Sequence, residues 1–421
     1  MTVDRFGNSI DENVGYARGQ VLASSADEVR RLRRAGHVAK AFVAREGVEK
    51  VAIFTGNLRF FPVKRDDLDV FCEEWIGPGL FGEELRRIAV AHLGGTGDEQ
   101  AAVINRTSAG NVAAILALSN DRPVVSLVPA GDRSHASVIR GARLAGVALH
   151  EVHDLAGVER ALTETGAALL VVTTVTSELS VLPDDLTRAA IAAARTAKAI
   201  SFMDEAYGAR FRPVLCGGAK SLRLGADLVI TNADKAGLSG PRAGVLCGRP
   251  DMIVPVVARA SELGMEARAP ISVGAMRSLQ AFAPELLVQE AQDGQDLATV
   301  LEEKLGGGIV ARSALGPKLD ENDLHAKVLE LAGQTRTARV PAETTAAIGM
   351  LMLRDLGIVT VNTHGQPGGR VSMRLKPTSG ALARAGGAER IADGLTGAMG
   401  TVAEHLEDRA WFANLLFGGD I

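Results

Sequence analysis

Apolar positions in the first two thirds of the chain fall into short, nearly unbroken runs, separated by longer stretches where apolar and polar residues alternate at helical spacing. The runs predict strands at Ala101–Ile104, Val124–Val128, Val147–Val152, Ala168–Thr174, Ile200–Met203 and Ala226–Thr231. The amphipathic stretches predict helices at Ala109–Leu118, Ser134–Leu144 and Asp184–Ala197, with an earlier one over 83–93 that stops at Gly94-Gly95. Strands that are apolar on both sides and alternate with helices require a mostly parallel sheet covered on both faces, an α/β fold. After about residue 250 the rhythm changes. Helices over 272–284, 293–304, 341–355 and 388–406 accompany two short strands, Ile358–Asn362 and Val371–Leu375, which predicts a smaller α+β domain. A charged helical pattern between about residues 20 and 45 precedes the strand-like Val51–Phe54. The expected organisation is an N-terminal helical arm over 1–50, a large domain over 51–270 and a small C-terminal domain over 271–421.

Composition narrows the function. The 421 residues carry a formal net charge of −4 and only 4% aromatics, so there is neither a basic field nor a stacking surface for nucleic acid. That argues against a tRNA substrate. Apolar runs are too short to span a bilayer, and the N-terminus lacks a basic-then-apolar leader, so no membrane association and a cytoplasmic location are expected. Cys72, Cys216 and Cys247 are far apart with no histidine cluster, so no metal site is expected and a reducing compartment suits them.

The candidate chemistry sits where strands end. Asp204 closes the run Ile200–Met203, followed by Glu205-Ala206-Tyr207-Gly208. Lys235 follows Ala226–Thr231 and Asn232, in a glycine-rich turn with Arg242 seven positions on. A strand-end carboxylate and a later strand-end lysine are what an enzyme needs to hold pyridoxal 5′-phosphate: the amine forms a Schiff base with the aldehyde, and the carboxylate pairs with the ring nitrogen. Ala206 is small enough for a ring to lie against; Glu205 and Tyr207 alternate to the other face and read as structural. Thr107, Ser108 and Ala109 open a helix whose N–H groups suit a phosphate, with Arg242, Thr231 and Asn232 as further contacts. His135, at another helix start, is placed either to stack on the ring and move protons or simply to open its helix. Arg374 or Arg370 could grip a substrate carboxylate as a fork, with His364 and Asn57 as further substrate-binding candidates.

Together, Asn105-Arg106-Thr107-Ser108, Asp204-Glu205-Ala206-Tyr207-Gly208-Ala209-Arg210, Leu224–Thr231 and Asp234-Lys235 with Gly240-Pro241-Arg242-Ala243-Gly244 resemble the selenocysteine synthase-like group of fold-type I pyridoxal phosphate enzymes. The nearest likeness is to its archaeal members of unassigned activity. It continues through Leu263–Ala267 to Arg374. The resemblance implies the aspartate aminotransferase-like fold and a homodimer or larger assembly with its active site at the subunit interface. It also implies Lys235 as the Schiff-base lysine, Asp204 as the ring-nitrogen partner and Arg374 as the carboxylate binder. The expected activity is elimination or replacement next to Cα of an amino acid or an amino-acid-bearing small metabolite, by a lyase or a transferase. Two other readings stay open: an oxygen-dependent oxidative decarboxylase of specialised biosynthesis, and a non-catalytic cofactor-binding regulator.

Overall fold

The computed structural model describes residues 2–306, 308–365, 367–369 and 371–418. The chain divides into two compact units, residues 57–287 and residues 1–56 with 288–421. The boundaries thus fall at 56/57 and 287/288, where the sequence suggests 50/51 and 270/271. The N-terminal segment is no separate arm: helix Ser25–Glu46 buries Ala35 and Val38 in one apolar cluster with Leu351, Leu353 and Phe412.

The unit over 57–287 is built on seven strands: β1 (Gln100–Ile104), β2 (Val124–Leu127), β3 (Leu149–Val152), β4 (Leu169–Thr173), β5 (Ile200–Asp204), β6 (Leu228–Asn232) and β7 (Gly244–Gly248). Their order in the sheet is β1-β7-β6-β5-β4-β2-β3. From β6 through β3 the neighbours pair parallel, whereas β7 runs antiparallel to both β6 and β1. The strand period of two explains why the runs are apolar throughout. Leu169 and Val171 of β4 join Ile115, Val138 and Val256 on one face; Leu170 and Val172 join Val158, Leu162 and Ile191 on the other. Each such side chain contributes about 1.5–3 kcal/mol by leaving water, so a strand slipped by one residue is strongly disfavoured wherever polar and apolar positions alternate.

Helices labelled here are α1 (Gly77–Leu93), α2 (Thr107–Leu118), α3 (Ala136–Ala145), α4 (Leu155–Thr165), α5 (Asp184–Thr196) and α6 (Gly208–Leu215). β7 and α4 have no counterpart in the sequence expectations. β7 is three apolar residues between glycines, a run short enough to pass for a loop. Two glycines set the approach of α2. A Cβ at Gly110 would run into Ile230 Cδ1, and one at Gly244 would meet Thr107 N at 2.9 Å. The helix therefore lies tight against β6, with its first turn against the start of β7.

In the other unit, three antiparallel strands, Val310–Ser313, Gly316–Leu319 and Met373–Arg374, form a small sheet, and Ala52–Ile53 pairs parallel with Ile358–Val359. Two expected strands are shorter than the apolar pattern suggests. Ile358–Asn362 is strand only to Val359 and then turns into helix Val361–His364, while Val371–Leu375 is strand only at Met373–Arg374. Helix Pro341–Leu356 is buried almost all round, which hides its amphipathic face from a period-based reading.

Candidate functional site

Asp204 is the last residue of β5, and Lys235 lies three residues beyond β6, the adjacent parallel strand. Both therefore stand at the carboxyl edge of the sheet, where open α/β sheets bind ligands. Asp204 is 4% exposed. Its Oδ2 accepts from Asn111 Nδ2 at 2.8 Å, whereas Oδ1 is buried with no hydrogen-bond partner among the described residues. Beside it on β4, in register, stands Thr173, whose buried Oγ1 likewise has no partner among the described residues.

Lys235 enters a turn in which Ala236 takes the left-handed conformation at φ 52° and Gly237 follows at φ 79°. Its Nζ lies 5.0 Å from the centre of the Tyr207 ring. Burial pushes the amine down to about 8; the carboxylates of Asp234 and Asp204 pull it back up in part, and Arg59 and Arg242 push it down. Lys235 thus senses Asp204 electrostatically. Tyr207 was expected on the opposite face; it faces Lys235, and its hydroxyl donates to Asn57 Oδ1 at 3.5 Å. Glu205 is structural as expected: fully buried, it accepts from Thr174 at 2.5 Å and Arg212 at 3.2 Å.

At the start of α2, Arg106 occupies the cap position at φ 92°, a conformation that costs a non-glycine residue roughly 1–3 kcal/mol. Thr107, Ser108 and Ala109 form the first turn behind it, and the Ala109 N–H already donates to Arg106 O at 3.1 Å. Arg106 and Arg242 are both lowered, first by burial and then by repulsion from Arg59; Arg242, which also feels Arg106, falls to about 10. Arg59 pairs with Asp234 at 2.8 Å. Three guanidiniums thus share a space with one carboxylate, an arrangement suited to a doubly charged anion.

His135 caps α3. Its Nδ1 lies 2.7 Å from Ser137 Oγ and accepts the Ser137 N–H at 3.2 Å. Burial lowers its basicity, opposed by Asp204 and reinforced by Lys235, Arg140 and Arg106. Asp204, His135, Lys235 and Arg106 therefore occupy one neighbourhood.

Residues 84–305 match the aminotransferase class I and II family. The chain belongs to that family. It is 31% identical over 357 residues to the UPF0425 pyridoxal phosphate-dependent protein of Methanothermobacter thermautotrophicus, a match covering 84% of this chain and 89% of that one. A second archaeal relative, the UPF0425 pyridoxal phosphate-dependent protein of Methanosphaera stadtmanae, is 26% identical over 84% of this chain and 89% of its own length. Among solved structures, aspartate aminotransferase from Thermus thermophilus with maleate superposes with TM-score 0.51 at 16% identity, covering 88% of each chain. That likeness shows the shared aspartate aminotransferase-like, mostly parallel α/β fold.

The site also depends on residues that only the folded framework brings together. Arg210 in α6 is 1% exposed and donates to the Lys235 carbonyl at 3.2 Å, Thr231 Oγ1 at 2.9 Å, Asn232 Oδ1 at 2.8 Å and the Ala206 carbonyl at 3.2 Å. Thr231 also donates to Glu205 O, and Asn232 to Ala206 O. Thr231 and Asn232 were expected to contact a phosphate. Their side-chain atoms are instead engaged with Arg210 and the Glu205-Ala206 backbone, so they brace the Lys235 turn. Arg59, Asn111, Ser137 and Thr173 were not foreseen either. Asn111 carried one signal: a polar residue one turn into an otherwise apolar helix face.

In the other unit, Arg374 is buried on its strand directly opposite Lys318, and His364 Nδ1 lies 2.8 Å from Thr363 Oγ1. Arg370 lies outside the described residues. Among the described residues, no helix is long and apolar enough to cross a membrane, and no cluster of three or more His, Cys, Asp or Glu side chains could hold a metal.

Proposed function

We propose that the chain holds pyridoxal 5′-phosphate at the carboxyl edge of the seven-stranded sheet and acts on an amino acid or an amino-acid-bearing small metabolite as a transferase or lyase. The carrying observation is that Asp204 and Lys235 converge there, with Asp204 Oδ1 buried and unpartnered among the described residues. The relatives are named pyridoxal phosphate-dependent proteins, and the reading follows them.

The residues present fit this cofactor. A buried acceptor at Asp204 Oδ1 suits a ring N–H, the orphaned Thr173 hydroxyl beside it suits a ring substituent, and Arg106, Arg242 and the α2 N-terminus suit a phosphate dianion. Arg59 is neutralised by Asp234 and would stiffen the Lys235 turn. When bound, pyridoxal phosphate supplies an electron sink for the pair released as a bond to the substrate Cα breaks. Asp204 would pair with the ring N–H through its buried Oδ1. Lys235 would hold the cofactor through its amine, and its Nζ would carry a proton to or from the substrate Cα. With its amine near 8, about a tenth of the lysine is neutral at pH 7, against a few parts in ten thousand for an ordinary lysine.

Within this reading, Arg374 grips the substrate carboxylate with His364 and Asn57 assisting, and the reaction is elimination or replacement next to Cα. The selenocysteine synthase-like kinship stays part of the proposal, since the matched family is aminotransferase class I and II and the relatives are archaeal pyridoxal phosphate-dependent proteins. Nothing observed favours the oxygen-using or the non-catalytic reading. A homodimer is proposed as the working unit, supported by a run of exposed apolar side chains: Phe60, Phe61, Leu68, Trp75 (92% exposed), Ile76 and Leu80.

The depressed amine makes a kinetic prediction. Capture of added pyridoxal phosphate by the cofactor-free chain should accelerate roughly tenfold per pH unit up to about pH 8 and then level off. Stopped-flow absorbance measures it. A rate still climbing toward about pH 10, the range of an unperturbed lysine, would reject Lys235 as the captured amine.

A further inference from the structure

We infer that Asn111 and Ser137 lock His135 as a neutral imidazole with its proton on Nε2, so that His135 serves the site as a hydrogen-bond donor and never as its base. The lock is a property of the chain itself; only what the donor faces rests on the cofactor reading above.

Asn111, Ser137 and His135 form one chain of donors and acceptors. Asn111, 1% exposed, has one amide nitrogen within reach of two acceptors: Asp204 Oδ2 at 2.8 Å and Ser137 Oγ at 2.9 Å. Its orientation is forced, because an ionised carboxylate only accepts and a flipped amide would set oxygen against oxygen. Both amide protons are then used. Ser137 Oγ receives one of them, and on its other side His135 Nδ1 lies at 2.7 Å. The Ser137 backbone N–H points at the same nitrogen from 3.2 Å. That backbone N–H is fixed in direction, so Nδ1 holds a lone pair, and the rotatable Ser137 hydroxyl donates its proton there as well. In the neutral ring the proton then sits on Nε2.

Protonating the ring would turn an N–H of Nδ1 against the fixed Ser137 backbone N–H and oblige the Ser137 hydroxyl, already accepting from Asn111, to reverse. The charged groups around His135 do not reverse this. Asp204 favours the imidazolium, whereas Lys235 beyond β6, Arg106 before α2 and Arg140 on α3 itself disfavour it, as does burial. The chain of bonds also fixes the carboxylate: with Oδ2 held by Asn111, Oδ1 is the atom left to meet a ligand. A locked donor at His135 leaves Lys235 as the group that moves protons.

The test is two-bond proton–nitrogen correlation spectroscopy on the full chain labelled at the histidine rings, without added cofactor, with His135→Gln assigning the signals. The expected result is a pyridine-like Nδ1 and a pyrrole-like Nε2 for His135, unchanged between pH 8 and pH 6, where a free histidine has half titrated by about 6.5. Ser137→Ala should mix the tautomers and raise the midpoint by about one pH unit, and Ser137→Thr, which keeps the hydroxyl, should restore the lock. An imidazolium at pH 6, a proton on Nδ1, or a Ser137→Ala spectrum identical to that of the parent chain would overturn the inference. The parent spectra alone decide it should Ser137→Ala not fold. Because no cofactor is involved, a chain that shows the lock yet fails to capture pyridoxal phosphate would refute the cofactor reading and leave this one standing.

Discussion

Asp204→Ala should lower kcat/KM by roughly 10²–10⁴-fold, the largest loss expected from any residue that forms no covalent bond. A buried carboxylate opposite a charged ring nitrogen leaves that charge unpaired when it is removed, a cost of about 3–5 kcal/mol. Steady-state kinetics and cofactor affinity measure it. Asp204 also anchors Asn111, so part of any loss could arise from the frame. Asp204→Asn separates the two causes. It keeps the shape and one hydrogen bond, so the fold should be nearly as stable as the parent, but it lacks the charge and should lose nearly as much activity. Equal activity in Asp204→Asn and the parent would remove the carboxylate from the mechanism.

Lys235→Met should abolish turnover and at the same time stabilise the cofactor-free chain by about 2 kcal/mol at pH 7. The amine is held near 8 rather than 10.5, chiefly by burial. A lysine whose folded value is depressed binds its proton less readily folded than unfolded. Below about pH 8 both states are protonated, and the folded chain carries the full cost of an enclosed charge. Between about 8 and 10.5 the folded state gives up its proton first and stability recovers. The full shift would be worth about 3 kcal/mol, reduced here because the residue is only part-buried. Urea titrations at pH 7 and pH 10.5 should therefore show a gap between parent and variant that narrows at the higher pH. A variant less stable than the parent at pH 7 would contradict the enclosed-amine account.

How much of this was legible in the sequence follows from what each residue faces. β4, β5 and β6 were plain because both faces of the sheet are covered, so the strands read as unbroken apolar runs ending abruptly in Asp204 or Asn232. That abrupt change also exposed Asp204 and Lys235 as candidates. The supporting residues were hidden by the same logic in reverse. Arg210 in α6 looks like a solvated helix arginine, and only the fold places its guanidinium among Thr231, Asn232 and the Lys235 carbonyl. Ser137 looks like any early helix serine until α3 packs against α2, where Gly141 lies close on Ile115 and Asn111 donates to the Ser137 hydroxyl. The strand end at Asn362 was overcalled because Val361 and Thr363, both strand formers, belong to a helical turn.

The most direct measurement is reductive trapping. Pyridoxal phosphate is added to the chain, the mixture is reduced with borohydride, and peptides are mapped by mass spectrometry. The account predicts a phosphopyridoxyl group on Lys235, absent when Asp204 and Arg242 are intact but Lys235 is replaced. Stoichiometric labelling of another lysine, or no label with the chain folded, would contradict it.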